Sequence, residues 1–394
     1  MKKKLLVITT IFPRFKGDHL GVYLYRILKY LSEYLDNIIV FCPTDNKTIE
    51  GHLGKKQLKK DNINYEVLDE KIEVYRPLYK LPKSIYPFWS IMWLILNKRK
   101  INFNFVLSQF VFFSGLIGLI TSKIYRKPFI VRVDGMDFWM PEKKGISRNV
   151  FFIPRYLVIK YSDIIIVEGR DTQRAICKLG IKKENIKCIP NGIDLRSFKS
   201  DAVDILIPGV NKEDVVITQI GNLIYLKGQR YLIESVSRIR REFKNLKLVF
   251  VGEGPEKKYY INLCKEKGIN SIFLGLVHSE KIPMILKRTD IYVHLSLLEG
   301  MSNTILEAMS IGKPVIASRV GEIYDVIEDG INGFLVFPND INNIVDRLRC
   351  LILDRNLANK IGMSAKYTIE ERFDLEKIVK LYVHEMDNIA LATI

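Results

Sequence analysis

The chain has 394 residues, 48% hydrophobic and 27% charged, which excludes disorder and fibrous repeats and exceeds what one core usually spans. Its formal charge of +17 is confined to one half: residues 1–200 carry 36 Lys and Arg against 18 Asp and Glu, and residues 201–394 carry 25 against 26. A basic half beside a neutral one points to a polyanionic partner (membrane, phosphorylated lipid or nucleic acid) or to a solvated lysine-rich surface.

In chain order, the apolar run 5–12 is broken by Thr9 and Thr10 and lacks a small-residue cleavage site, so it reads as a first strand rather than a signal peptide. Further strands are expected at 38–42, 105–108, 129–133, 164–167 and 186–189, with helices at 22–34, 112–125 and 171–179. The strands are continuous apolar runs, as strands buried on both faces are. Segment 85–96 is apolar nearly all round but reaches only about 18 Å as a helix, short of a bilayer core of about 30 Å. Segment 103–120 contains Asn104, Ser108, Gln109 and Ser114 and reads as a strand followed by a helix. No transmembrane helix is expected. Cys42, Cys177, Cys188, Cys264 and Cys350 have no paired spacing, which favours a reducing cytoplasm over a disulfide or zinc framework.

Residues 75–89 interleave Tyr75, Tyr79, Tyr86, Phe88 and Trp89 with Arg76, Lys80 and Lys83, and Trp93 and Lys98-Arg99-Lys100 follow. This pattern suits either the interface of an anionic membrane or a core helix with a basic end. The polar stretch after residue 190 predicts a linker at 194–214, between a first domain at 1–193 and a second at 215–371. Strands resume at 215–220, 246–251, 272–274, 291–295, 315–317 and 334–336. The class is therefore α/β, two doubly wound Rossmann-like domains, with the ligand site expected in a cleft beyond the strands' carboxyl ends.

Residues 295–318, LSLLEGMSNTILEAMSIGKPVIAS, carry the most chemistry. A strand ends near Leu295, a loop holds Glu299, and a helix begins near Ser302–Thr304, with seven residues between Glu299 and Glu307. A helix N-terminus flanked by two carboxylates suits a diphosphate between hydroxyl-bearing groups. Taken alone, Thr304-x-x-Glu307 is equally a capping box, and Glu299 equally a surface carboxylate.

This stretch resembles the Glu-x7-Glu motif of the family 4 retaining glycosyltransferases, which have the two-domain GT-B fold. GKPVIAS (312–318), GNLIYLKG (221–228), VGEGP (251–255), IPNGID (189–194) and DGINGFLV (329–336) are similar to that family in order and spacing. The resemblance implies transfer of a sugar from a nucleotide-sugar donor, a UDP-sugar, to a glycan or lipid-linked acceptor in cell-surface polysaccharide or glycoconjugate synthesis. It gives Lys227 the donor diphosphate, Glu307 the ribose hydroxyls and Glu299 the hydroxyls of the transferred sugar. Gly300, Met301, Ser302, Asn303, Thr304 and Ile305 would line the sugar and phosphates by their backbone. Gly252 and Gly254 would turn near the nucleotide, and the base would lie beside residues 274–277, including Val277. Lys227 could equally be a solvated lysine, and each glycine an ordinary turn residue.

Three positions depart from the family pattern. Asn222 stands where many members have Arg, Asp134-Gly135 where many have His-Gly, and Gly17 and Gly21 are separated where a glycine pair is usual. Of these Gly21 is the one expected to approach the phosphates, and Asp134 a sugar hydroxyl or the acceptor, with Asp137 nearby. No Asp-x-Asp triplet occurs and the five histidines show no ligand spacing, so a metal-independent reaction without cofactor is expected. By resemblance the C-terminal helix, 372–394, packs back on the first domain. An epimerase or phosphorylase of the same fold remains an alternative, as does a basic nucleic-acid-binding protein, although no nucleic-acid recognition motif is present.

Overall fold

The computed structural model describes residues 3–13, 21–45, 65–79, 85–135, 146–199 and 207–392. Gly17, Lys80, Lys83, Asp137 and residues 200–206 of the expected linker lie outside them. The chain forms two compact units, residues 1–189 with 379–394, and residues 190–378.

The first unit is built on strands β1 (Lys4–Ile8), β2 (Asn37–Phe41), β3 (Thr44–Asp45), β4 (Tyr65–Asp69), β5 (Ile72–Tyr75), β6 (Leu78–Tyr79), β7 (Phe105–Gln109), β8 (Phe129–Val133), β9 (Ile164–Val167) and β10 (Ile186–Cys188). Eight of them form one sheet in the order β10-β9-β8-β7-β1-β2-β5-β4, and β3 and β6 pair separately. The central strands are buried on both faces, as their largely apolar sequences require, with Ser108, Gln109 and Arg132 buried among them.

The doubly wound sheet carries one antiparallel edge strand: β4 runs antiparallel to β5, with a register shift between Val67 and Asp69. This hairpin is largely exposed on β4 and alternates polar with apolar residues, so it lacks the buried-strand signature.

The second unit carries β11 (Val215–Ile220), β12 (Leu246–Val251), β13 (Ser271–Phe273), β14 (Ile291–His294), β15 (Val315–Ser318) and β16 (Phe334–Val336), in the order β13-β12-β11-β14-β15-β16. Every pair is parallel. This is the doubly wound order in which the winding reverses between the first and fourth strands, here β11 and β14. Beyond the carboxyl ends of those two strands, helices leave for opposite faces and a crevice opens.

The described parts of the expected linker, residues 194–199 and 207–214, belong to the second unit. Helix Leu195–Lys199 brings Phe198 into the second unit's core, where Ile207 and Val210 are also buried. Ile193 is tied to the start of the last helix, its N–H donating to Phe373 O at 2.8 Å and its carbonyl accepting from Leu375 N at 3.0 Å. Polarity along the segment hid these few apolar anchors. The last helix, Leu375–Ala392, begins in the second unit and continues in the first. There Asp387 pairs with Lys3 at 2.7 Å and Glu385 with Lys187 at 3.4 Å.

The aromatic–basic segment also differs from a membrane-facing belt. Tyr79 and Tyr86 are buried, Trp89 and Trp93 pack against the core, and Arg76 is fully buried and paired with Glu66. Of the five aromatics in 75–89, Phe88 is exposed and the rest turn inward or pair with one another, as the core-helix alternative has it. No helix among the described residues is long and apolar enough to cross a membrane.

Candidate active site

The two loops at the β11/β14 switch point hold the site. After β11 the chain turns through Gly221 and Asn222 into a short 3-10 turn, Tyr225–Lys227, then Gly228 and helix Gln229–Ile239. Gly228 has φ 67°, and a Cβ there would lie 2.0 Å from Leu295 O, so only glycine fits. Two buried glutamines brace this loop: Gln219 Nε2 donates to Lys227 O at 2.7 Å and Gln229 Nε2 to Asn222 O at 2.9 Å. The backbone is thereby held while the Lys227 side chain stays free to reach across to β14.

After β14 comes the loop with Glu299, which is 11% exposed at its side chain and gathers three donors on one oxygen. Lys227 Nζ lies 2.6 Å from Glu299 Oε2, His294 Nε2 donates to it at 2.8 Å, and Ser296 Oγ donates at 2.8 Å. Burial pushes this carboxyl up, but the hydrogen bond from His294 and the charge of Lys227 outweigh it and hold the pKa at about 2. Behind this cluster Tyr292 OH donates to Thr304 Oγ1 at 2.7 Å and lies 3.4 Å from His294 Nδ1. Burial raises the Tyr292 pKa well above its ordinary value, with Glu307 and Glu299 adding to the rise, so the phenol stays protonated.

The chain then enters helix Asn303–Ser310 with Ser302 as N-cap. Ser302 makes no side-chain cap hydrogen bond, and the first-turn N–H groups of a helix are a natural seat for an anion. The capping-box reading of Glu307 therefore fails: Thr304 is the second helical residue, its hydroxyl is engaged by Tyr292 and Ser302, and Glu307 lies in the second turn. Ile305 is buried in the core and offers the site its backbone alone, and Met301 is nearly buried.

Asn191 clamps the start of this helix, its Nδ2 donating to Met301 O at 3.2 Å and Asn303 Oδ1 at 3.0 Å. From the other side Gly321, at φ 54°, packs so closely on Glu299 O that a Cβ would sit 1.8 Å away. The loop carrying Glu299 and Gly300 is thus fixed on both flanks.

Gly252 and Gly254 lie in the turn after β12 and set how closely it packs. A Cβ on Gly252 would lie 2.1 Å from Gly221 O, and one on Gly254 2.3 Å from Leu223 O. They let the turn after β12 press backbone against backbone on the lysine loop. Val277 is half-buried on the 274–277 segment after β13.

Gly21 and Asp134 belong to the first unit. Gly21, at φ 73°, precedes helix Val22–Leu31 where a Cβ would lie 2.7 Å from Ile11 O. Asp134 follows β8, and both its oxygens accept from Gln109 Nε2 at 3.0 Å while Arg132 Nε lies 3.3 Å away. Arg132 is fully buried; it pairs with Glu168 and Tyr382 OH and stacks on the rings of Tyr23 and Tyr382. The Asp134 carboxyl is raised by burial, against the pull of Arg132 and Gln109. Through Tyr23 the same cation ties Gly21's helix to Asp134.

Motif reading missed His294, Tyr292 and Asn191. A signal existed for the first two: Tyr292, His294 and Ser296 recur at spacing two along a strand and its exit, marking a polar stripe in an otherwise apolar run. His294→Ala removes a donor from Glu299, so its pKa moves up from about 2. The carboxylate is then lost at higher pH as pH falls. We expect the acid limb of kcat/KM to move up in pH and the plateau to drop by about tenfold. Initial rates from pH 4 to 8 check this, and a profile that overlays the wild type contradicts it.

Two doubly wound parallel-sheet units, the second with a lysine–carboxylate pair at its switch point, define a protein of the GT-B class. A profile of the group 1 glycosyl transferases matches residues 204–368 and one of glycosyltransferase family 4 matches residues 20–197, and the chain belongs to this glycosyltransferase family. An uncharacterised glycosyltransferase of Methanocaldococcus jannaschii is 28% identical over 403 residues, covering 97% of this chain and 98% of that protein. The UDP-Gal:alpha-D-GlcNAc-diphosphoundecaprenol alpha-1,3-galactosyltransferase of Escherichia coli is 27% identical over 290 residues, covering 70% of this chain and 74% of its own. Among solved structures, HepE of Anabaena in complex with UDP matches with a TM-score of 0.75 at 21% identity, over 98% of this chain and 100% of that one.

Proposed function

We propose that this glycosyltransferase retains the donor's anomeric configuration, takes a UDP-sugar, and transfers its hexosyl or N-acetylhexosaminyl group to a glycan or lipid-linked acceptor in cell-surface polysaccharide or glycoconjugate synthesis. The observation that carries the reading is the Lys227–Glu299 pair beside the N-terminus of helix Asn303–Ser310 at the β11/β14 switch point. The name of the Escherichia coli relative gives it a UDP-sugar donor and a diphosphoundecaprenol-linked acceptor, and HepE was solved with UDP.

In this reading the donor diphosphate lies over the first turn of helix Asn303–Ser310, and Lys227 turns from Glu299 to the phosphate as negative charge develops there. His294 and Ser296 keep Glu299 ionised and in place when the lysine leaves, so its carboxylate accepts a hydroxyl of the transferred sugar. Glu307 accepts the ribose hydroxyls. Asp134, held by Arg132 and Gln109, accepts from the sugar or the acceptor. Asn222 leaves the lysine loop one cation short of the family pattern. The positive charge on the leaving group comes from Lys227 and the helix amides, which is the basis for proposing a reaction independent of metal.

The experiment is product analysis by NMR with UDP-sugars in the presence of EDTA. Retention of configuration at an undiminished rate is expected, and inversion or loss of turnover in chelator overturns the reading. Glu307→Gln should raise the donor KM by about tenfold with an unchanged melting temperature, because Glu307 lies in the second turn of a helix capped at Ser302, past the position a capping box uses. A fall in stability with normal kinetics contradicts the ribose assignment.

A further inference from the structure

Helices Tyr86–Leu96, Phe113–Tyr125 and Ile146–Tyr161 cover one face of the first sheet, their inner residues packing in one cluster with Val106, Val131 and Ile165. Their outer side is not an ordinary solvated surface. Ile85, Phe88, Met92 and Leu96 are 42%, 68%, 40% and 77% exposed, and their spacing of three, four and four places them on one stripe. On the third helix Ile153, Leu157 and Tyr161 form a second exposed stripe at spacing four, and Ile124 is exposed between the two.

The cations are organised as well. Lys98, Arg99 and Lys100 follow the first helix, Lys123 and Arg126 end the second, and Lys160 ends the third, all exposed. Each helix leads into the next of the parallel strands β7, β8 and β9, so the three basic ends lie at the same end of the sheet. Residues 74–133 contain ten Lys and Arg and no Asp or Glu, so no acidic side chain from this span offsets them.

We propose that the outer face of this helix layer docks on an anionic lipid surface. Ile85, Phe88, Met92 and Leu96 seat at the acyl boundary while Lys98, Arg99, Lys100, Lys123 and Arg126 meet the headgroups. The apolar stripe decides between polyanions: a nucleic-acid backbone offers Met92 and Leu96 nothing to bury against, whereas a bilayer does. The docking residues are these aliphatic side chains and Phe88, not Trp89 and Trp93, whose rings pack inward.

The test is co-sedimentation of the chain with phosphatidylglycerol-containing vesicles and with pure phosphatidylcholine vesicles, with melting curves as a check on folding. Wild type should bind the anionic vesicles alone. Changing Lys98, Arg99 and Lys100 together to Ser should weaken binding by about a hundredfold. Phe88→Glu with Leu96→Glu, or both to Ser if the charges impair folding, should weaken it by at least about tenfold. Tyr367→Glu, at an exposed aromatic of the second unit, should change nothing. Failure to bind, equal binding to both vesicle types, or loss in the triple variant while the Phe88/Leu96 variant binds normally would overturn the proposal. So would preferential capture of a duplex RNA. Binding requires no turnover, so such a failure leaves the transferase reading untouched.

Discussion

Lys227→Ala should lower kcat by about a thousandfold, because an oriented charge on a developing leaving group is typically worth a few kcal/mol. The loop that carries the lysine does not depend on its side chain. Gln219 and Gln229 hold its carbonyls, and Gly228 packs on Leu295. The substitution therefore removes a cation without collapsing its support, and the melting temperature should fall little. The loss should appear in kcat rather than in donor KM alone, since the charge on the diphosphate grows toward the transition state. Release of nucleoside diphosphate at saturating donor measures it, and a rate within about threefold of wild type would contradict the assignment.

Glu299→Gln should cost about a hundredfold or more in kcat/KM and also change how stability depends on pH. The carboxylate is the common acceptor of Lys227, His294 and Ser296, and an amide presents its own N–H groups to at least one of those donors. Its pKa is lowered from 4.5 to about 2, so the stabilisation is fully present above pH 4.5 and is lost as pH falls through about 2. The melting-temperature gap between wild type and Glu299→Gln should therefore be constant from pH 8 to 5 and narrow below that. A gap that widens on acidification would contradict the ionised, triply bonded carboxylate.

The buried parallel strands were legible because segments such as 164–167 and 5–8 are apolar at every position, a pattern that solvent-facing strands do not tolerate. The hairpin 65–75 was not, since one side of it meets water and its polar residues resemble a loop. Polarity also misplaced the linker, because Phe198, Ile207 and Val210 anchor a segment whose average composition is hydrophilic.

At the site, Lys227, Glu299 and Glu307 could be read from spacing and family likeness. What they lean on could not. Asn191 reaches Asn303 from a loop more than a hundred residues away, and Gln219, Gln229 and His294 act within their own loops through turns whose side-chain directions spacing does not record. The capping-box alternative for Thr304-x-x-Glu307 falls away because the N-cap, Ser302, lies two residues before Thr304, and helix starts are uncertain by about that much from sequence.

If the loops between Gly221 and Glu307 hold the donor's nucleotide, hydrogen–deuterium exchange with and without UDP will register it. Slowed exchange is expected at the first-turn amides of helix Asn303–Ser310 and in residues 221–228, with the effect at 303–305 abolished in Lys227→Ala at the same UDP concentration. Protection confined to the first unit, or none at saturating UDP, would contradict it.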